Sequence, residues 1–101
     1  MRLLPPQLEA EPVVAGVVID PAIASLFVEL AGEVERQDGK HGPFEGTRLG
    51  ASRLALACIE DELDEAYDAW RDERQAVVWD HTRTEVLQIA AVAIRALRDA
   101  L

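Results

Sequence analysis

Residues 85 to 97 read Glu85-Val86-Leu87-Gln88-Ile89-Ala90-Ala91-Val92-Ala93-Ile94-Arg95-Ala96-Leu97, a segment that is apolar almost all round when wound as a helix. A helix without a wide polar face must be covered on several sides, so it belongs at the centre of a helical assembly. The spacing predicts that this helix starts near Asp80 and runs to the C-terminus. The rest of the chain has to supply its cover.

Two further helices are predicted. Asp20-Pro21 opens the first: a carboxylate that can accept from a free first-turn amide, then a proline suited to the first helical position. Ile23, Leu26, Phe27, Leu30 and Val34 follow as one apolar stripe. Gly39, Gly42 and Pro43 imply a stop near Asp38 and a loop over residues 39–48. The second helix is expected from about Leu49 to about Arg74, with Leu56, Ile59, Leu63, Ala66, Tyr67 and Trp70 as its core stripe. Residues 1–19 contain Pro5, Pro6 and Pro12 and a β-branched run, Val13 to Ile19, and read as an irregular or extended arm. The expected architecture is therefore all-α: an antiparallel helical bundle of about three to four helices in one domain over residues 20–101.

At 101 residues the chain makes one small domain. A domain of this size buries a modest share of its surface, and a bundle like this one completes its core by oligomerisation. Nineteen acidic residues against ten Lys and Arg give a net charge of −9, which argues against nucleic acid or an anionic membrane as partner. It does not exclude a phosphorylated small molecule, because divalent cations can sit between two sets of negative charges. Cys58 has no second thiol and no paired histidines around it, so neither an internal disulfide nor a zinc site is expected. The stretch Met1-Arg2-Leu3-Leu4-Pro5-Pro6 lacks the long apolar run of a signal peptide and nothing approaches transmembrane length, so a cytoplasmic location is expected.

The run Glu60-Asp61-Glu62-Leu63-Asp64-Glu65 sorts into two faces at about 100° per residue. Glu60, Asp61, Asp64 and Asp68 share a broad solvated face with Arg53 and Arg71. Glu62 and Glu65 fall instead on a stripe with Ala55, Cys58 and Ala69, whose small neutral side chains suggest a partly covered groove. Residues three apart on a helix are neighbours, so the two carboxylates point the same way. On the apolar last helix, Glu85 and Gln88 are polar and also three apart, with His81 one turn before. A buried carboxylate needs a partner or a proton. A cation shared by Glu62, Glu65 and Glu85 would serve, and Mg²⁺ suits oxygen ligands and phosphate substrates. The alternative is ion pairing of Glu85 with Arg83, Arg95 or Arg98.

These blocks resemble the MazG-like nucleotide pyrophosphohydrolases and the related dimeric dUTPases. That family carries Glu-Glu-x-x-Glu on one helix and Glu-x-x-Asp on a later one. Asp61-Glu62-Leu63-Asp64-Glu65 is similar to the first block and Glu85-Val86-Leu87-Gln88 to the second, with nineteen residues between Glu65 and Glu85. Glu35-Arg36-Gln37-Asp38-Gly39-Lys40-His41-Gly42 resembles Glu-Arg-Gln-Asp-x-Lys-Trp-Gly of small phage-type members, and the likeness spans roughly residues 22–99.

The resemblance implies an all-α bundle assembled as a homodimer or homotetramer. It implies hydrolysis of a nucleoside triphosphate to monophosphate and pyrophosphate with Mg²⁺, or Mn²⁺ in its place. By this likeness Glu62, Glu65, Glu85 and Gln88 are metal ligands, Glu62 and Glu65 also act in catalysis, and Lys40 and His41 contact substrate. Two positions depart from the family. Gln88 stands where it has Asp, which removes a charge from the ligand set, and His41 stands where it has Trp, which offers a smaller stacking surface. Two other readings stay open: a nucleotide- or metal-binding relative without turnover, motivated by Gln88, and a helical interaction protein without a ligand site, motivated by the apolar last helix.

Overall fold

The structure, a computed structural model, describes residues 13–101. Residues 1–12, part of the expected arm, lie outside the described residues. A small antiparallel ribbon opens the description: β1, Val13–Val14, pairs with β2, Val17–Val18. Ala15 and Gly16 link them with φ of 51° and 79°, the two left-handed residues that a tight hairpin turn requires.

Three helices follow: α1 at Pro21–His41, α2 at Arg48–Ala76 and α3 at Asp80–Asp99. The fold is all-helical, as the periodicity predicts. Asp20 Oδ1 accepts from Ala22 N at 2.8 Å and Pro21 takes the first turn of α1. The helix runs three residues past the expected stop. Gly39 is tolerated inside the last turn at a cost of about 1 kcal/mol, and the chain leaves the helix only at Gly42, with φ 72°, ahead of Pro43. Thr47 caps α2 through Gly50 N. That helix ends at Val77, a β-branched residue held at φ 55°, ψ 37°. The first residues of α3 have no side-chain cap from Trp79. Their amides are met from the previous helix, where the Glu73 carboxylate accepts from His81 N at 2.9 Å, Thr82 N at 2.5 Å and Thr82 Oγ1 at 2.7 Å.

Helix α3 is the shared partner of the other two: α2 packs against it most extensively, and α1 packs on it as well. The interior that results is made of small residues. Ala51, Ala55, Ala66 and Ala69 of α2 and Ala91, Val92 and Ala96 of α3 are buried. This corrects the expected core of α2. Of its large apolar stripe, Leu56, Leu63, Tyr67 and Trp70 stay exposed, and Ala66 is the one buried member. Two helices that meet through alanine methyls approach closely, and bulky neighbours are left flanking the seam. On α1, Ile23, Leu26 and Phe27 are likewise exposed. Among the described residues no large side chain is fully buried.

The exposed side chains gather. Ile23, Leu26 and Phe27 of α1 face Trp79, Val86 and Leu87 across an apolar groove of about 540 Å³. A smaller depression of about 250 Å³, between Leu63, Tyr67 and Trp70, shares Thr82 and Val86 with it.

A polar network ties α1 to α3. Gln37, 4 % exposed, donates through Nε2 to Glu33 Oε2 and to the Gln88 carbonyl, both at 3.1 Å. Arg95, 3 % exposed, donates to Asp38 Oδ1 at 2.9 Å, Gln37 Oε1 at 3.2 Å and the Gly42 carbonyl at 2.6 Å. The Arg98 and Arg95 guanidiniums hold the Asp38 carboxyl down at about 2 against the opposing effect of burial.

Candidate metal centre and ligand cavity

Glu62 and Glu65 project from α2 toward α3, where Glu85 meets them. One carboxylate oxygen from each lies within 4.8 Å of the others. Around an octahedral Mg²⁺ opposite ligands are about 4.2 Å apart and adjacent ones about 3 Å, so side-chain shifts on the order of 1 Å would gather all three around one ion. Glu85 is 8 % exposed, Glu62 half-buried and Glu65 exposed. A floor of carboxylate with one open edge is a geometry in which a cation keeps water and a second ligand can approach. The all-oxygen donor set suits Mg²⁺ or Mn²⁺ better than zinc, whose sites draw mainly on Cys and His.

The ion pairs that would have explained Glu85 away do not form. Arg83 binds Glu29 at 2.7 Å, Arg95 binds Asp38, and Arg98 binds Asp38 at 2.8 Å and Asp99 at 2.6 Å. Among the described residues the basic group paired with Glu85 is His81, whose Nε2 lies 3.2 Å from Oε1. Burial pushes the Glu62 carboxyl above its ordinary range, and the charges of Glu65 and Glu85 add to the shift. A divalent cation would reverse both effects by favouring the ionised form.

Gln88 sits one turn on from Glu85 and reaches the same cluster. With its amide nitrogen turned inward it donates to Glu62 Oε2 and Glu85 Oε2, both at 3.1 Å. With the oxygen inward it would face the same carboxylates, an arrangement favourable only around a cation. The Gln88 backbone carbonyl accepts from Gln37 Nε2.

The cluster opens onto a cavity of about 420 Å³, a size typical of small-molecule sites. Asp61, Glu62 and Glu65 form an acidic wall, and Arg36, Lys40, His41 and Arg95 also line the space. Lys40 and His41 were expected on a loop; they lie in the last turn of α1, which continues to Gly42. Basic side chains are favoured at that end of a helix. Arg36 is held by Glu33, with Nη2 2.6 Å from Oε2, and its positive form is further stabilised by Glu62.

Arg36, Arg95 and Phe44 were not expected as residues of the ligand site; Arg95 entered only as a possible ion-pair partner of Glu85. Arg95 had a signal: it falls on the stripe through Glu85, Gln88 and Val92, at steps of three, four and three. Arg36 had a weaker one, four residues before Lys40. Phe44 had none, because a loop residue has no periodicity. Cys58 is free and half-buried at the cavity edge. Trp70 and Trp79 lie away from it, beside the apolar groove and depression. The acids of the solvated face are exposed as expected, with Asp68 paired to Arg71 at 2.7 Å. No helix among the described residues is long and apolar enough to cross a membrane. No family model matches the sequence, and no curated protein or solved structure matches it.

Proposed function

We propose that this chain is a Mg²⁺-dependent nucleoside triphosphate pyrophosphohydrolase. The observation that carries the reading is a cavity walled by Glu62 and Glu65, two of the three carboxylates of a cation-competent cluster, and by arginine and lysine side chains. Neither half alone indicates a substrate. Together they suit a ligand that brings a polyanion to a metal and needs further positive charge around it.

Glu62, Glu65 and Glu85 would hold the ion, with Gln88 as a neutral fourth ligand. Bound there, Mg²⁺ supplies screening of the phosphates and stabilisation of the leaving pyrophosphate. Lys40 and Arg36 place the phosphate chain by charge. Glu65, the exposed member of the cluster, would accept a proton from an attacking water, with Glu62 as the alternative for the same role. His41 would border the substrate.

The test is release of pyrophosphate from a panel of ribo- and deoxynucleoside triphosphates, with and without Mg²⁺. Turnover that requires Mg²⁺ and vanishes in Glu62→Gln, with the helical circular dichroism unchanged, supports the reading. Parental activity in Glu62→Gln refutes that ligand, and no product from any nucleotide refutes the activity. Gln88 favours a second reading, a binder without turnover, because it leaves the site one charge short. In that case nucleotide binds without product, and Gln88→Asp gains Mg²⁺ affinity in a calorimetric titration.

We also propose that two or more copies assemble through the apolar groove. A second copy is the occupant that this chain's own architecture calls for: among the described residues no large side chain is fully buried, while Phe27, Trp70, Trp79 and Val86 stand exposed around adjoining depressions. Solution mass is the measurement. A monomer at micromolar concentration would count against this assembly, and an oligomer without any Mg²⁺ or nucleotide response would favour a helical interaction protein.

A further inference from the structure

The phosphate-binding reading leaves part of the cavity unused. Pro43, Phe44, Leu54 and Val92 line it alongside the charged groups, and a polyphosphate chain gains nothing from apolar walls. Two aromatic rings line this cavity, the His41 imidazole and the larger, apolar Phe44 phenyl. Phe44 is built in with unusual care for a loop residue. The Arg95 guanidinium lies over the ring, 4.7 Å from its centroid, within cation–π range. Arg95 is itself immobilised by Asp38, Gln37 and the Gly42 carbonyl. The Phe44 amide donates to Asp99 Oδ2 at 3.2 Å, which fixes the backbone beneath the ring. A ring held from one side in this manner has lost its freedom before any ligand arrives, so stacking on it costs little ordering.

We infer that Phe44, braced on Arg95, is the platform on which a planar ring of the ligand stacks, so that the cavity selects ring-bearing polyphosphates, nucleotides above all, over bare ones. This rests on the proposed reading of the cavity as a metal–phosphate site. Arg95 acts here as a positioning residue, and Phe44 as the residue in contact.

The experiment titrates the full chain in Mg²⁺ with inorganic tripolyphosphate and with the tightest-binding member of the nucleoside triphosphate panel. Phe44→Leu should weaken nucleotide binding about tenfold, the scale of one ring–base stack, and leave tripolyphosphate nearly unchanged. Phe44→Tyr, which keeps the ring, should retain most of the affinity. Phe44→Met provides a second ring-free variant should leucine disturb the fold. Equal weakening of both ligands, unchanged nucleotide binding in the ring-free variants, or a parent that binds tripolyphosphate as tightly as nucleotide would each overturn the stacking inference while leaving the metal–phosphate reading intact. Failure of the parent to bind either compound would overturn both.

Discussion

Glu85→Gln should make the metal-free protein more stable and deaf to Mg²⁺. The cluster brings oxygens of three carboxylates within 4.8 Å. Two unit charges at that separation repel by about 3 kcal/mol at an effective dielectric constant near 20. The net penalty is smaller, because Glu65 is exposed to solvent and Glu62 is pushed toward its protonated form. An amide at position 85 removes the charge and keeps one of the two acceptors, the oxygen that meets either His81 Nε2 or the Gln88 amide. The expected gain is about 1 kcal/mol, or about 4–8 °C in Tm for a domain of this size. Thermal unfolding in EDTA at fixed protein concentration measures it. Repeating the melts in Mg²⁺ reads the other half: the parent should gain about 2.7 kcal/mol at a hundredfold excess over Kd, and the variant should not move. A variant less stable than the parent in EDTA, or one that gains as much from Mg²⁺, would refute the cluster's role as a strained cation site.

Arg95→Met should cost about 3–5 kcal/mol, the effect of removing one partner from a buried charged network, whereas Arg98→Met, 46 % exposed at the side chain, should cost far less because solvent screens its ion pairs; urea unfolding of both compares them, and equal losses would contradict the placement of Arg95. Val77→Gly should stabilise by up to about 1 kcal/mol, because the residue is 75 % exposed and sits at φ 55°; a loss of stability would show that its side chain makes unrecognised contacts. Burial raises the Glu73 pKa, but the bonds from the Thr82 hydroxyl and from the amides of His81 and Thr82 outweigh it and hold the carboxyl below its ordinary value. A carboxyl depressed in the folded state contributes stability that is fully present above the unfolded pKa and lost as pH falls through the folded one. Glu73→Gln should therefore reduce stability at neutral pH and flatten its decline below about pH 5; an unchanged acid slope would show that Glu73 does not cap α3.

The helices were legible because their signals are local. Asp20-Pro21 marks a start that needs no tertiary contact, and the convergence of Glu62, Glu65 and Glu85 follows from spacing plus the expectation that the apolar helix lies at the centre. The core was misjudged for a reason of scale. Hydrophobic periodicity ranks Leu63, Tyr67 and Trp70 above Ala55 and Ala69, but close helix contact selects small residues, and nothing in a single helix's pattern tells which stripe meets a helix of the same chain. The cavity's basic wall was half visible. Lys40 came from resemblance, while Arg36 and Arg95 needed the crossing of α1 over α3, which depends on the Gln37 and Asp38 bonds across more than fifty residues of sequence.

The alanine seam has a consequence for the carboxylates beside it. Alanine has no rotamers to lose and no length to adjust, so the gap between α2 and α3 is set by methyl groups of fixed size at Ala55, Ala66, Ala69, Ala91 and Ala96. The seam acts as a spacer gauge, and the distance from Glu62 to Glu85 inherits its tolerance. One added methylene at Ala66 or Ala69 would wedge the helices apart and dilute the negative charge that a cation would feel, with every acidic side chain still in place.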